Sequence, residues 1–227
     1  MNRLTWLLYL AVVVAASFSI SAQATIWHPV EKYCAEYEIK GMAKGTLRVC
    51  QRKHGEERIE YTTTTIGFGP FKKTEVKRTI YTGETIYSFT EGKSKIIKTK
   101  NPLFKTVEQA HENQSPEEAS EFYLQTMGFG AINGTDSAAG ISCNKRSSAA
   151  MGGFICMTDD LIPVITSAFG QKQILTSLEK DTEGGAEQFD PNSYGLPIEE
   201  GPDVSKLLEQ FSNMRNQSTE STNDQEN

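Results

Sequence analysis

The chain has 227 residues, of which 37% are hydrophobic and 23% charged, so it is long enough for one domain with a sizeable core. Its net charge of −6 argues against nucleic acid as a partner, because contacts to a phosphate backbone need a basic surface. Residues 25–111 carry 16 basic and 10 acidic side chains, whereas residues 112–227 carry 6 and 19. This asymmetry indicates either a surface that meets an anionic partner or solvated strand faces followed by an acidic tail.

The first 24 residues have the three parts of a secretory signal peptide. Arg3 supplies the positive start, residues 4–16 form an apolar run, and small residues end in Ala22-Gln23-Ala24. Cleavage after Ala24 would leave a periplasmic or secreted protein. An uncleaved membrane anchor is the alternative, but the apolar run is shorter than the roughly 20 residues of a spanning helix. We therefore expect no stable membrane span after cleavage.

The next two segments predict a β-hairpin. Apolar and polar residues alternate in Tyr33–Lys40 and again in residues 44–52, which is typical of half-buried strands. A three-residue loop, Gly41-Met42-Ala43, fixes the register. That register pairs three sets of residues across the strands: Tyr37 with Leu47, Glu36 with Arg48, and Cys34 with Cys50.

Four cysteines in an exported chain favour disulfides. Directly opposed strand positions have the separation that a disulfide needs, so we predict a bond between Cys34 and Cys50. Cys143 and Cys156 flank a loop rich in Ser, Ala and Gly at residues 147–153 and form the second predicted pair. The alternatives are four free buried thiols or a zinc site, although the closely spaced cysteine pairs of zinc sites are missing.

An antiparallel meander of short strands is predicted downstream of the first hairpin. Thr82-Gly83-Glu84 forms a turn between its central strands, and Tyr81, Tyr87 and Phe89 are expected on its apolar face. The predicted strands are Glu57–Ile66, residues 72–81, Thr85–Thr90 and residues 95–99.

A helix is predicted after the meander. Ser115 can cap it, Pro116 suits its first turn, Glu118 completes a capping box, and Gly128 ends it after about Met127. Two further strands are expected at residues 161–166 and 173–178. A short amphipathic helix at residues 201–214 either docks on the domain or binds a partner, and residues 215–227 are expected to be disordered.

No catalytic constellation is apparent in the sequence. His28, His54 and His111 are expected in turns or on the surface, because none lies in a short motif typical of a triad or a metal site. We therefore predict no catalysis, no cofactor and no metal ion. An enzyme is the alternative, and it would be indicated by a buried polar cluster around a histidine.

Four segments together resemble the periplasmic domains related to the lipoprotein carriers LolA and LolB. The segment Tyr37-Glu38-Ile39-Lys40-Gly41, leading into Lys44-Gly45-Thr46, is similar to their opening hairpin. Ile80-Tyr81-Thr82-Gly83-Glu84-Thr85-Ile86-Tyr87 resembles a turn between their central strands. In uncharacterised relatives, a pattern similar to Ala139-Gly140-Ile141-Ser142-Cys143, Cys156 and Leu161-Ile162-Pro163-Val164 occurs. Phe189-Asp190-Pro191 resembles a closing element.

This resemblance implies a domain at residues 25–200 that is an incomplete, half β-barrel, antiparallel and partly closed by one or two covering helices. In the carriers the resulting cup receives acyl chains, so the implied function is binding of a lipid or acyl chain. The residues expected to line the cup are Tyr37, Leu47, Tyr81, Tyr87 and Phe89. The alternative is an envelope-assembly module that binds another protein through the C-terminal helix or a sheet edge.

Overall fold

The computed structural model describes residues 28–67, 69–102, 104, 108, 115–126, 128–149, 152–182 and 184–202. The predicted signal peptide, most of the 201–214 helix and the 215–227 tail lie outside these residues. His111 and Met127 lie outside them as well.

The described part of the chain is mostly β, as predicted, and forms one open sheet of 12 strands. The sheet order is β12-β6-β5-β4-β3-β2-β1-β11-β10-β9-β8-β7. In chain order, the strands are β1 (Tyr33–Lys40), β2 (Ala43–Arg52), β3 (Glu57–Ile66), β4 (Lys73–Thr82), β5 (Thr85–Thr90), β6 (Ile96–Lys100), β7 (Ile132–Ala138), β8 (Ile141–Ser148), β9 (Gly153–Met157), β10 (Pro163–Ala168), β11 (Gln171–Lys180) and β12 (Ile198–Glu200).

The first hairpin has the predicted register, with Tyr37 opposite Leu47 and Cys34 opposite Cys50. The loop is shorter than predicted, because Ala43 already belongs to β2. Its backbone N–H donates to Oε1 of Gln171 at 3.1 Å, and Ala43 pairs with Ile66 of β3. Pairing with β3 therefore extends β2 by one residue beyond its predicted start.

Both predicted disulfides are present, Cys34–Cys50 and Cys143–Cys156. Their Cα atoms lie 4.1 and 5.3 Å apart, respectively. Two disulfides indicate an extracellular or periplasmic protein, because such bonds persist in oxidising compartments. No helix in the described ranges is long and apolar enough to cross a membrane.

The meander β2 to β6 is antiparallel and follows chain order, as predicted. Two long-range pairings complete the sheet. β1 pairs with β11, which joins the two parts of the chain, and β12 pairs in parallel with β6. The edge strand β7, which the sequence did not predict, pairs with β8 and also contacts β10 and β11. The sheet therefore curls at this end.

One α-helix, α1 (Pro116–Thr126), is described. Its capping box is present as predicted, since the Glu118 N–H donates to Oγ of Ser115 at 3.3 Å and the Ser115 N–H donates to Oε2 of Glu118 at 2.9 Å. Leu124 is buried and packs in a small apolar cluster with Ile155 of β9. This contact attaches the helix to the sheet.

The registers divide β1–β6 into two faces, because directly paired residues of neighbouring strands point to the same side. We call them the Tyr37 face and the Cys34 face. On β1 and β2 most of the Tyr37 face is apolar and packs against residues of β10 and β11, including Val164 and Leu175. The Cys34 face is covered by the segment 184–197, from which Phe189 is buried against the Cys34–Cys50 bond. The two faces thus have separate cores.

Candidate functional site

A row of polar side chains crosses the Tyr37 face in the interior of the protein. Tyr33, Gln51, Arg58 and Tyr81 occupy directly paired positions on β1, β2, β3 and β4. All four are buried, with 2–3% of their surface exposed. We call these four residues the polar row. Since neighbouring strands lie close together, the row places Arg58 directly between Gln51 of β2 and Tyr81 of β4.

Arg58 forms a buried ion pair with Glu60, which lies two residues further along β3 on the same face. Its Nη2 lies 2.6 Å from Oε1 of Glu60, and only 4% and 5% of the two side chains are exposed. The guanidinium also lies over the ring of Tyr81, 6.0 Å from its centroid. Burial acts to lower the pKa of Arg58, but the carboxylate of Glu60 and the neighbouring tyrosines outweigh it and raise that pKa. Arg58 is therefore charged in the interior.

His28 lies beside this row and is buried, which corrects the prediction of a turn or surface position. Its ring makes an edge contact with Tyr33, with centroids 5.3 Å apart. The backbone holds it in place, because the His28 N–H donates to the carbonyl of His54 at 2.6 Å. Its ring nitrogens make no well-formed hydrogen bond in the described part of the chain, and a backbone contact with Leu161 acts to raise the pKa of the ring. Burial, and then the charge of Arg58, lower the pKa of His28 to about 3.

His54 lies in a 3₁₀ turn, Lys53–Gly55, in agreement with the predicted turn. Its Nδ1 lies 2.8 Å from the carbonyl oxygen of His28, so the two histidines connect the segment before β1 to the β2–β3 turn.

The buried histidine makes stability depend on pH. The folded state holds His28 neutral down to about pH 3, whereas the unfolded chain takes up a proton near pH 6.5. Between these values the unfolded state binds more protons, so stability falls as the pH falls, by about 1.4 kcal/mol per pH unit. Between pH 8 and pH 5 we expect the protein to lose about 2 kcal/mol more than His28→Phe, measured by urea unfolding. Equal losses in both proteins would contradict a buried neutral His28.

The cluster of His28, Arg58, Glu60 and the tyrosines is the kind of feature that the enzyme alternative predicts. Burial raises the pKa of Tyr33 to about 12 and places that of Tyr37 well above its ordinary value. The shifts move the pKa values of these phenols and of His28 away from neutral pH, which is the range that suits general acid–base catalysis best. In the described ranges, no three His, Cys, Asp or Glu side chains are grouped so as to hold a metal ion. The polar row joins the ends of the four strands β1 to β4.

The five predicted ligand residues do not share one surface. Tyr37 and Leu47 lie opposite each other on the Tyr37 face and are buried, and Tyr37 donates a hydrogen bond to the Pro163 carbonyl at 3.0 Å. Tyr81 is on that face too, in the polar row. Tyr87 and Phe89 lie on the Cys34 face, half-buried, because Tyr87 pairs with Ile80 and Tyr81 pairs with Ile86.

A half-exposed surface continues the Tyr37 face beyond its buried part. It starts at Thr62, which pairs with Leu47, and extends over β3 to β6. Its members are half-exposed side chains with methyl, methylene or hydroxyl groups: Thr62, Thr64, Lys77, Ser88 and Ile97. We call these five residues the β3–β6 surface. It is a part of the Tyr37 face that a molecule from solution can reach.

Sequence reasoning missed the polar row. Arg58 and Glu60 alternate with Ile59 and Tyr61, and this pattern alone predicts that the charges face solvent. β3 is instead covered on both faces, since Ile59, Arg58 and Glu60 are all buried. The signal that indicates their burial is the register between β2 and β3, because it pairs Arg58 with Gln51 and Glu60 with Val49.

No protein-family model matches the chain, and no curated protein matches it. Among solved structures it is similar to the crystal structure of an uncharacterized conserved protein from Thermus thermophilus. The two are 9% identical, the match covers 76% of this chain and 91% of that chain, and the TM-score is 0.49. That protein is itself uncharacterized, so the likeness assigns no activity.

Proposed function

We propose that this is a periplasmic binding protein, exported by the signal peptide at residues 1–24, which holds a hydrophobic or amphipathic ligand without catalysis. In this proposal the curled sheet is a half-barrel of the LolA/LolB kind that α1 partly covers. The ligand is a lipid or acyl chain lying along the β3–β6 surface, with its apolar end toward Tyr37 and Leu47.

The observation that carries the proposal is the continuity of one face. The Tyr37 face passes from the apolar pair Tyr37 and Leu47 directly to half-exposed Thr62 and Thr64. An acyl chain on this surface would gain about 0.8 kcal/mol for each methylene that leaves water. Lys77 pairs with Thr62, is half-exposed, and has no ion pair in the described ranges, so it can meet an anionic headgroup.

A negatively charged residue on this surface should weaken binding. We expect Thr62→Glu to weaken uptake of a fluorescent fatty acid by at least about tenfold. A carboxylate at this position costs free energy when the acyl chain covers it, and it repels the anionic headgroup of the ligand. The matched control is Thr63→Glu, since Thr63 is equally half-exposed on the same strand but points to the Cys34 face. Fluorescence titration measures the uptake, and native mass spectrometry of protein purified from a periplasm detects any lipid that it carries. Equal uptake by the two variants, or a protein that never carries lipid, would contradict the proposal.

A second candidate function is protein binding through a sheet edge. Strand β7 pairs on one side with β8, and six of its seven residues are exposed. An edge of this kind can accept a strand of another protein. Ending the chain at Gly201 separates this mode from the C-terminal helix, because the truncation leaves β7 intact. A partner that still binds the truncated chain favours the edge, and loss of that partner with lipid uptake intact favours the helix.

A further inference from the structure

The Cys34 face contains an arginine enclosed by three aromatic rings. Arg78 of β4 lies between Tyr61 of β3 and Phe89 of β5, which occupy directly paired positions. The third ring is Tyr194, from the 3₁₀ turn Pro191–Tyr194. The guanidinium carbon lies 5.3, 5.7 and 5.4 Å from the centroids of Tyr61, Phe89 and Tyr194, respectively. We call these four residues the Arg78 cage.

The rings of the cage are held in position by their own contacts. The hydroxyl of Tyr61 donates to Oε1 of Gln188 at 3.0 Å, and that of Tyr194 donates to the Gln188 carbonyl at 3.1 Å. The rings of Phe89 and Tyr194 lie 4.8 Å apart. The Arg78 guanidinium is therefore oriented before any ligand arrives, which lowers the entropic cost of binding.

Arg78 differs from the other arginines in the described ranges. The other four described arginines each have a carboxylate partner, and they are Arg48, Arg52, Arg58 and Arg146. Arg78 has neither an ion pair nor a hydrogen bond with any described residue, and its contacts are the three rings. The rings contact the guanidinium through its charge, and its N–H groups have no described acceptor. The N–H groups of a guanidinium match the two oxygens of a carboxylate in pairs.

A pocket of about 220 Å³ lies at the cage. Arg78 and Lys93 supply two positive charges to its lining, and Glu91 supplies one negative charge. Its apolar walls are Val76, Phe89, Tyr194 and Leu196. The volume is below the roughly 300 Å³ at which pockets for drug-sized ligands begin, so the pocket suits a small molecule.

We propose that this pocket binds a small organic carboxylate with an aromatic or short aliphatic body. The carboxylate pairs with the edge of the Arg78 guanidinium, Lys93 adds a second charge, and the body packs against Phe89, Tyr194 and Leu196. The site lies on the opposite face of the sheet from the β3–β6 surface, so it does not depend on lipid binding.

The test is titration of the full mature chain with benzoate, followed by NMR or calorimetry. We expect saturable binding with a dissociation constant on the order of 1 mM or lower, and none by benzyl alcohol, which lacks the charge. Arg78→Met should weaken benzoate binding by at least about tenfold, because a charge-assisted hydrogen-bond pair is lost. Lys93→Met, in an exposed turn, should weaken it by about two- to fivefold and keeps the test informative if Arg78→Met fails to fold.

The matched control is Arg48→Met, because Arg48 lies beside Tyr61 on the same face but already has Glu36 as a partner. Benzoate binding should be unchanged in this variant. Three results would overturn the proposal: no saturable benzoate binding, equal weakening by the Arg48 and Arg78 variants, or inorganic phosphate binding as tightly as benzoate.

Discussion

Replacing Glu60 with leucine will lower the free energy of unfolding by about 3–5 kcal/mol, because the buried Arg58 guanidinium then has no carboxylate to compensate its charge. The two groups are only 2.6 Å apart in the interior, so neither charge is shared with water. The measurement is urea unfolding of the oxidised protein, followed by circular dichroism.

Two further variants give this prediction its controls. Arg58→Met combined with Glu60→Leu should recover most of the lost stability, because well-packed apolar residues often replace a buried ion pair at little cost. Glu36→Leu breaks the exposed Arg48–Glu36 pair and should change stability by about 1 kcal/mol or less. If Glu60→Leu costs no more than Glu36→Leu, the Arg58–Glu60 pair is solvated and the polar row is not a buried structure.

Replacing both Cys34 and Cys50 with alanine will lower the free energy of unfolding by about 3 kcal/mol. The bond closes a chain segment of 16 residues and so restricts the unfolded state. It also joins the central strands β1 and β2 beneath Phe189, where both sulfur atoms are buried. Urea unfolding of the variant and of the parent protein, each with and without a reductant, gives the comparison.

The second disulfide supplies the matched control. Cys143 and Cys156 are 13 residues apart, so Ala variants at these positions should cost about the same by chain entropy. A reductant should destabilise the parent protein further than it destabilises either variant. If the Cys34/Cys50 variant is as stable as the oxidised parent, the bond adds no restriction beyond that of the β1–β2 hairpin itself.

The β1–β2 hairpin was predictable from sequence because independent signals agreed. Alternation, a short loop and two cysteines all specify the same register, and a slip of one residue would turn every side chain to the other face. The capping box of α1 was predictable for a similar reason, since Ser115 and Glu118 act locally.

The placement of the predicted ligand residues failed through one residue of turn length. A three-residue turn at Thr82-Gly83-Glu84 would put Tyr81, Tyr87 and Phe89 on the same face. Thr82 in fact pairs with Thr85, so the turn has two residues and Tyr81 lies opposite Ile86. The period of a strand is two, and a single-residue error therefore exchanges its faces.

The sheet edges and the β1–β11 pairing could not be predicted, for a different reason. Six of the seven residues of β7 are exposed, so its sequence lacks the apolar alternation that marks a strand. Pairing of Tyr33 with Lys180 depends on residues far apart in the chain, and no local pattern encodes it. The Arg78 cage is missed likewise, because Tyr194 reaches it from the segment that covers the Cys34 face.

The pairing of β1 with β11 has a consequence for how the protein folds. During synthesis one edge of Tyr33–Lys40 stays open until Gln171–Lys180 has emerged, so the sheet cannot be completed progressively from its first strand. Contacts of such sequence separation slow folding and leave unpaired backbone groups available to neighbouring chains. A chaperone that shields nascent strands, or a delay of folding until the whole chain has crossed a membrane, would protect this protein from aggregation at that seam.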